Sequence, residues 1–570
     1  MLSVLKENIM FLNRINRKCQ LKYLLAVYIV LLLCFGQSKK LLGNPCIDFL
    51  EQVPVSCDEL GNIADFNNDY TVDFKDFIFF AGTWWREDCQ EPDWCSGCDL
   101  DQSVQVNFVD LKILVENWLW PKPIQWLIGQ QNPVTGLVVS YEGDGKDFAY
   151  TFDQAIAIMA FAGSGERDKA QMILDRMYLL QQQISNGAWN EWYIASDPNI
   201  ICAGSEKYVT GPIAWMVMAI NYYEAKTNDD SYASMAREAL SWLDTVRNIE
   251  SNEKYGSLRW CTGDNCTPVE AAMISTEHNL DAYSAYYWRG IIDSNTLYII
   301  RASDILDYLC QEMWAPSPNS NGPYHDVNIF WEGFDNFAFS TDPQTWGVLS
   351  LGPIGPKGEE FYKCLDWLWY SPWGNTRTTQ NLCDEINVQG FKSGTGEPND
   401  YVWVDGTEHA VAAYYSLGDY ERGDFFFNHM KRVISSNSGL MHSFRQDEPN
   451  NVSWKRKNYR FNYVASTVWH YFNQREINPF VPYPVHPYPR CWASCTQCHG
   501  DADCDGSIDD NDLSELYISY NSSFPDPSYN PCADFNRDGT INVADLSILM
   551  GYFNTTPPTD CIPGSPWPPL

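Results

Sequence analysis

The chain has 570 residues, 73 acidic and 38 basic, for a formal net charge of −35, with 45% hydrophobic and 15% aromatic residues. That length suits several domains, and the apolar and aromatic content excludes a disordered chain and predicts a large core. The negative balance repels phosphate backbones, which argues against nucleic acid as a partner.

Arg14, Arg17, Lys18 and Lys22 precede an apolar run from Tyr23 to Phe35, and Gly36, Gln37 and Ser38 follow it. A basic segment, a short apolar stretch and small residues in that order predict a secretory signal over residues 1–38. The run is shorter than the roughly 20 residues a spanning helix needs, so no membrane span is expected after the signal is removed. The expected location is secreted or at the cell surface. Of the 19 cysteines, Cys19 and Cys34 fall in the signal, and export makes disulfides the expected state of most of the rest. The C-x-x-C pairs Cys95/Cys98 and Cys495/Cys498 are read the same way, in preference to zinc sites.

Residues 46–121 carry two acidic loops. Asp65, Asn67, Asp69, Thr71, Asp73 and Asp76 place oxygen side chains at loop positions 1, 3, 5, 7, 9 and 12. Asp99, Asp101, Ser103, Gln105, Asn107 and Asp110 repeat the pattern 34 residues later. This is the ligand spacing of an EF-hand-type loop, in which a hard cation such as Ca2+ takes six to eight oxygens. Position 6 is Tyr70 in one loop and Val104 in the other, where a Gly would ease the sharp turn.

From about residue 124 to 480 the pattern becomes amphipathic and helical. Helix-start signals recur at Thr151, Thr210, Thr276, Thr341, Thr407 and Ser466, spaced by 59 to 66 residues. Each opens an apolar helix, and a more polar one follows; Ser, Thr or Asp before such a run is N-cap chemistry. Six such pairs predict an all-α fold, a closed (α/α)6 toroid with the apolar helices inside and the long loops gathered at one end.

This core resembles the six-hairpin glycosidase superfamily in the segments Phe152–Ala155, Thr276–Asp281, Ser340–Gly347 and Trp403–Glu408. The resemblance implies action on polysaccharides or oligosaccharides, although related toroids also hold lyases, phosphorylases and epimerases. Hydrolysis of a glycosidic bond needs two carboxyl groups, one kept protonated for the leaving oxygen and one to activate water or attack the anomeric carbon. The candidates are Asp153, Glu277, Glu332, Asp335, Asp342, Asp405 and Glu408, with Glu277 favoured as acid, Asp342 as base and Asp153 as a substrate-orienting group. The segment from Asp405 to Glu408 also reads as a capping box. Trp189, Trp192, Trp260, Trp331, Trp403 and Trp454 lie in the loops with His278, Glu332 and Glu408, the mixture of rings and polar groups that a sugar subsite uses. His278, Asn279 and Tyr283 are the residues available to a lyase, and Arg259, Arg445, Arg456 and Arg460 the loop arginines available to a uronate. A third reading is a non-catalytic glycan-binding or assembly protein.

Residues 491–561 return to the loop pattern. Asp501, Asp503, Asp505, Ser507, Asp509 and Asp512 form one copy, and Asp534, Asn536, Asp538, Thr540, Asn542 and Asp545 another, 33 residues on. Here Gly506 and Gly539 keep the turn glycine. A duplicated loop and helix at this spacing, with Asp at position 12, resembles a type I dockerin at each end of the chain. The resemblance implies Ca2+ as cofactor and a cohesin-bearing scaffold or surface protein as partner. No phosphate-binding, dinucleotide, serine-hydrolase or zinc-protease motif is present.

Overall fold

The computed structural model describes residues 61–67, 70–90, 94–142, 147–197, 206–316, 328–336, 338, 340–370, 377–383, 386–394, 401–445, 462–482, 500, 502, 508–520, 522, 533, 535 and 540–553. The expected signal, the loop residues Asp69, Asp501, Asp503, Asp505, Ser507, Asp534, Asn536 and Asp538, and Trp454, Arg456 and Arg460 lie outside the described residues. No helix among those described is long and apolar enough to cross a membrane.

The chain divides into two units. The first holds helices α1 (Phe74–Thr83) and α2 (Phe108–Glu116). Asp73 and Asn107 cap them, and Asp76 and Asp110 return the bond to the cap backbone, closing a capping box in each. The Val72 N–H donates to the Trp120 carbonyl at 3.1 Å, and the Trp85 N–H donates to the Val106 carbonyl at 3.0 Å. Each loop is thereby tied to the segment following the other loop's helix. Val72 and Val106 are fully buried, as the apolar pattern at position 8 requires.

The second unit opens with α3 (Pro123–Gln130), β1 (Phe148–Tyr150), α4 (Thr151–Ser164), α5 (Arg167–Ile184), β2 (Trp192–Ile194) and β3 (Tyr208–Val209). It continues with α6 (Thr210–Thr227), α7 (Ala233–Thr245), β4 (Cys261–Thr262), α8 (Pro268–Ala272), α9 (Thr276–Ile292) and α10 (Thr296–Tyr308). After β5 (Trp314–Pro316) and β6 (Asn328–Phe330) come α11 (Thr341–Leu351), α12 (Lys363–Tyr370), β7 (Arg377–Cys383), β8 (Ile386–Phe391) and β9 (Tyr401–Trp403). α13 (Val404–Ser416), α14 (Tyr420–Lys431), β10 (Leu440–Met441), β11 (Ser443–Arg445), β12 (Asn462–Tyr463) and α15 (Val464–Gln474) complete the core.

Helices α4, α6, α9, α11, α13 and α15 each pack on the next, and α15 packs back on α4, so the expected toroid is closed. The inner helices are buried almost all round; α6 buries nearly every residue from Thr210 to Tyr223. The outer helices bury one stripe, as α5 does with Ala170, Ile173, Leu174, Met177 and Leu180. The sixth outer helix is α3, which packs on α15. The ring therefore begins with an outer helix and ends with an inner one, where the sequence had suggested six inner-then-outer pairs. α4 ends in a Schellman turn on Gly165 (φ 87°), with the Glu166 N–H bonded to Phe161 O at 2.8 Å.

One hydrogen-bond pattern runs round the ring. The first N–H of each inner helix donates to a carbonyl in the segment leading to the next: Thr151 to Glu191 (3.0 Å), Thr210 to Trp260 (2.8 Å), Thr276 to Glu332 (3.0 Å), Thr341 to Ser393 (2.9 Å) and Val404 to His442 (3.0 Å). The Val464 N–H closes the circle on Ser140, ahead of α4, at 2.9 Å. Six helix starts thus lie at one end. The threonines are not the N-caps the sequence suggested. The Thr151 hydroxyl donates to Asn190 O at 2.5 Å and the Thr341 hydroxyl to Lys392 O at 2.6 Å, so they clamp neighbouring repeats. The all-α expectation holds with one addition, a four-stranded sheet of order β11-β9-β8-β7 between α12 and α15.

Helices α16 (Asp510–Ser519) and α17 (Val543–Tyr552) pack around a separate small core of Ile508, Leu516, Phe535, Ile541 and Leu549. Asp509 and Asn542 cap them through the same capping boxes as in the first unit. Disulfides join Cys89 to Cys95 and Cys261 to Cys266, whereas Cys310 and Cys364 are thiols, so disulfide use among the described residues is lighter than export suggested.

Candidate active site

The second residues of three consecutive inner helices are Glu277 in α9, Asp342 in α11 and Asp405 in α13. Asp153 is the third residue of α4. One helical turn deeper stand Trp215, Asp281, Trp346, His409 and Trp469. Trp215 and Trp346 lie 5.4 Å apart between ring centroids, and Phe480 packs on them at 5.0 and 5.5 Å. Trp469 completes this aromatic floor, which closes the ring beneath the carboxyl groups.

Burial raises the Glu277 carboxyl well above its ordinary range, and repulsion from Asp342 and Glu332 adds to it. Asp342 is raised in turn by burial and by Asp405 and Glu332. Two crowded carboxyl groups cannot both ionise easily, so the pair retains a proton. The His409 Nδ1 lies 2.7 Å from Asp342 Oδ1. Burial pushes His409 down to about 3, so it is neutral and able to donate Nδ1–H to Asp342. No hydrogen bond among the described residues reaches the Glu277 carboxyl. Asp281 sits below, raised by burial, Glu277 and Asp342. Gly211 makes room beside it: a Cβ there would lie 2.5 Å from the His278 ring and 3.1 Å from Asp281 Oδ2. Burial lowers His278 to about 4.

A second group of polar side chains faces the first. Asp405 accepts hydrogen bonds from Ser466 and, at 2.7 Å, from His442 Nδ1. This bonding replaces the capping-box role, because Asp405 lies inside α13 and not before it. Burial opposes charge on His442, but Asp405 and Asp153 outweigh it and raise the imidazole above its usual value. Asp153 is raised to about 7 by burial, against a hydrogen bond from Ser140 and with Asp405 adding repulsion. Tyr463 stacks on Tyr141 at 5.1 Å and leans on His442 at 4.9 Å. His409, His442, Ser466, Tyr463 and Asp281 were not selected from the sequence as site residues; a helical offset of four from Glu277 and Asp405 pointed only to Asp281 and His409.

The proposed sugar-binding residues divide. Trp192, Trp260 and Trp403 are partly exposed near the helix starts, with Trp192 edge-on to Phe148, Trp260 against His278 and Trp403 against His409. Glu332 acts on both Glu277 and Asp342 and belongs to the site. Trp189 does not belong: it is fully buried, and its indole N–H is fixed to Met177 O at 2.8 Å. Glu408 is also withdrawn, as the fifth residue of α13, buried and bonded to His470 at 2.7 Å and to Asn473 at 2.6 Å. Trp331 is 8% exposed and packs into the core. The lyase constellation does not assemble, because the Asn279 amide is committed to the backbone of Leu258 and Ser275.

In the first unit, Asp99, Asp101 and Asp110 bring carboxylate oxygens within 4.8 Å of one another. Burial, with repulsion from Asp110, raises Asp99, which is the electrostatic mark of a cluster suited to a cation. In the other loop, Asp76 is fully buried and accepts from the N–H groups of Phe66 and Asp73, both at 2.8 Å, while Asp65 accepts from Tyr70 at 2.7 Å. Asp512 accepts from Ala502 and Asp509 in the same way, and Asp545 accepts from Asn542. The position-12 carboxyls Asp76, Asp110, Asp512 and Asp545 are thus buried and hydrogen-bonded to backbone alike, and the described donors around Asp110 fit calcium. Tyr70 and Val104 have φ of 61° and 74°, the left-handed turn at position 6. Thr71 and Thr540 occupy position 7 of their loops.

Residues 499–554 match the dockerin type I domain family. No curated protein matches the chain in sequence. Solved structures similar to the core include a novel alpha-amylase from Clostridium perfringens (TM-score 0.43, 10% identity, covering 62% of this chain and 96% of that one). A sugar epimerase from a ruminal bacterium gives a TM-score of 0.44 at 13% identity over 63% of this chain and 97% of that one. A bacterial glucoamylase complexed with acarbose gives 0.46 at 10% identity, over 63% and 56%.

Proposed function

We propose that the chain is an exported glycoside hydrolase acting on a polysaccharide, with Glu277 as general acid and Asp342 as general base. The observation that carries this reading is the pair of carboxyl groups in the first turns of adjacent inner helices above a floor of tryptophans, each raised by burial and by its acidic neighbours. Glu277 gives its proton to the glycosidic oxygen as the bond to the anomeric carbon breaks. Asp342, held by His409, takes the proton of the incoming water or attacks the carbon itself. Asp405, steadied by Ser466 and His442, and Asp153 hold sugar hydroxyls, and Trp192, Trp260 and Trp403 stack on sugar faces.

The domain plan is a signal at 1–38, a dockerin-like pair at 46–121, the toroid at 124–480 and a dockerin pair at 491–561. Calcium, when bound, neutralises each acidic loop and fixes the helix that follows it. The loaded modules then engage a cohesin-bearing scaffold or surface protein. The matching capping boxes in both units support a dockerin-like reading of the N-terminal pair.

A reducing-end assay of the full chain on a panel of plant, algal and bacterial polysaccharides tests this reading. Activity on one of them should fall by about 10²- to 10⁴-fold in Glu277→Gln, with folding intact. Glycan binding without turnover, unchanged by Glu277→Gln, would instead make it a binding protein.

A further inference from the structure

A cavity of about 480 Å3 lies outside the carboxyl-lined mouth, bounded by Asn248, Lys254, Arg259, Pro268, Ala272 and Ile274. Two cations converge on it. The Arg259 guanidinium is held by carbonyls alone, Nε to Val246 O and Nη2 to Thr245 O at 3.3 Å each. Lys254 rests over the Phe334 ring at 4.6 Å. Neither forms an ion pair with a described carboxylate. Glu270, next in sequence to the lining, is turned to Lys207 (3.1 Å) and to the Thr267 N–H (2.9 Å). The walls from Pro268, Ala272 and Ile274 are apolar, so an anion entering here sheds part of its water beside two fixed positive charges.

The cavity is tied to the mouth through its own chain. Arg259 O accepts the Thr210 hydroxyl, and Trp260, the next residue, packs on His278 at 4.9 Å. Ile274 immediately precedes Ser275, which caps the helix carrying Glu277. A glycan leaving the mouth past Trp260 would meet the two cations. Beside the acid Glu277 the mouth is lined by Glu332, Asp342 and Asp405, an acidic lining that disfavours an anionic sugar at the point of cleavage.

We propose that this cavity is a subsite for an anionic sugar substituent, a carboxylate or a sulfate ester, on a unit outside the cleavage point. Resting on the glycosidase reading above, it assigns the substrate to polysaccharides that carry charge at intervals, with an uncharged unit in the mouth. Carboxylate and sulfate share the required chemistry, and the assay separates them.

The test is equilibrium binding of glucuronate, glucose 6-sulfate and glucose to the full chain, by calorimetry or NMR titration, at low and moderate salt. One of the two anions should bind saturably where glucose does not, and added salt should weaken it. Arg259→Gln should reduce that affinity by about tenfold or more, the loss of one charge-assisted hydrogen bond. Lys254→Gln, at a partly exposed site with no structural hydrogen bond, should weaken it too and guards against a folding artefact. Equal binding of all three sugars, or binding unchanged in both variants, overturns the proposal. Because these sugars are not cleaved, binding that persists in a chain inert on every polymer supports the subsite while removing the glycosidase reading. Cleavage of neutral and charged polymers alike, with no anion binding, removes the subsite alone.

Discussion

Replacing Asp153 by Asn should stabilise the core, and by an amount that depends on pH. Asp153 is 2% exposed and titrates at about 7 in the fold, against 3.8 for a free aspartate. Below pH 4 both the folded and unfolded chains hold the proton, and the aspartate carries no penalty. As pH rises from 4 to 7 the unfolded chain ionises first, so stability is lost; above 7 both forms are charged and the full penalty is present. The interval between those two values, at about 1.4 kcal/mol per pH unit, amounts to about 4 kcal/mol. At pH 5 the penalty is under about 2 kcal/mol by the same relation. Asn has nearly the same shape and no charge to bury. Urea unfolding of wild type and Asp153→Asn at pH 4, 6 and 8, with calcium present, should show a gain that grows with pH. A gain independent of pH, or largest in acid, would refute the electrostatic reasoning. Polysaccharide turnover should fall in the same variant, since the strain is retained at a group placed for substrate.

Two other variants probe separate parts of the chain. Thr341→Val removes the 2.6 Å bond to Lys392 O that joins two repeats and should cost about 1–3 kcal/mol in the same unfolding assay. Val104→Gly relieves a β-branched residue at φ 74° and should tighten the weakest calcium step in a chelator-competition titration by about fivefold, as release of about 1 kcal/mol of backbone strain requires.

The ring was legible because its signal is periodic. Apolar helices at 59- to 66-residue spacing identify six inner elements, and observed starts at 151, 210, 276 and 341 coincide with the threonine markers. The last two begin at Val404 and Val464, two or three residues before the markers Thr407 and Ser466, which lie inside their helices. The function of those threonines was not legible, because a hydroxyl at a helix start has the same sequence signature whether it caps its own helix or clamps the next repeat. Glu277, Asp342 and Asp405 were visible as acids at helix starts. Their partners His409 and His442 were not, because one is the sixth residue of an inner helix and the other lies in a loop far along the chain. Trp189 and Glu408 misled for a related reason: sequence places a side chain on an element without saying which way it faces, and both turn into the core.

The hydrogen-bonded circle also governs how the protein is made. Glu142, just ahead of α4, bonds to Asn462 at 2.9 Å, 320 residues later in the chain. α3 waits equally long for α15. On the ribosome α4 emerges early with one apolar flank uncovered, and that flank stays uncovered until the last inner helix is synthesised. Such long-range closure is slow and leaves the nascent chain adhesive for most of its translation. A product ending before residue 462 keeps five inner helices and lacks the one that covers α4, which makes truncated chains prone to aggregate and sets the shortest useful expression boundary beyond Phe480, the ring that seals the floor.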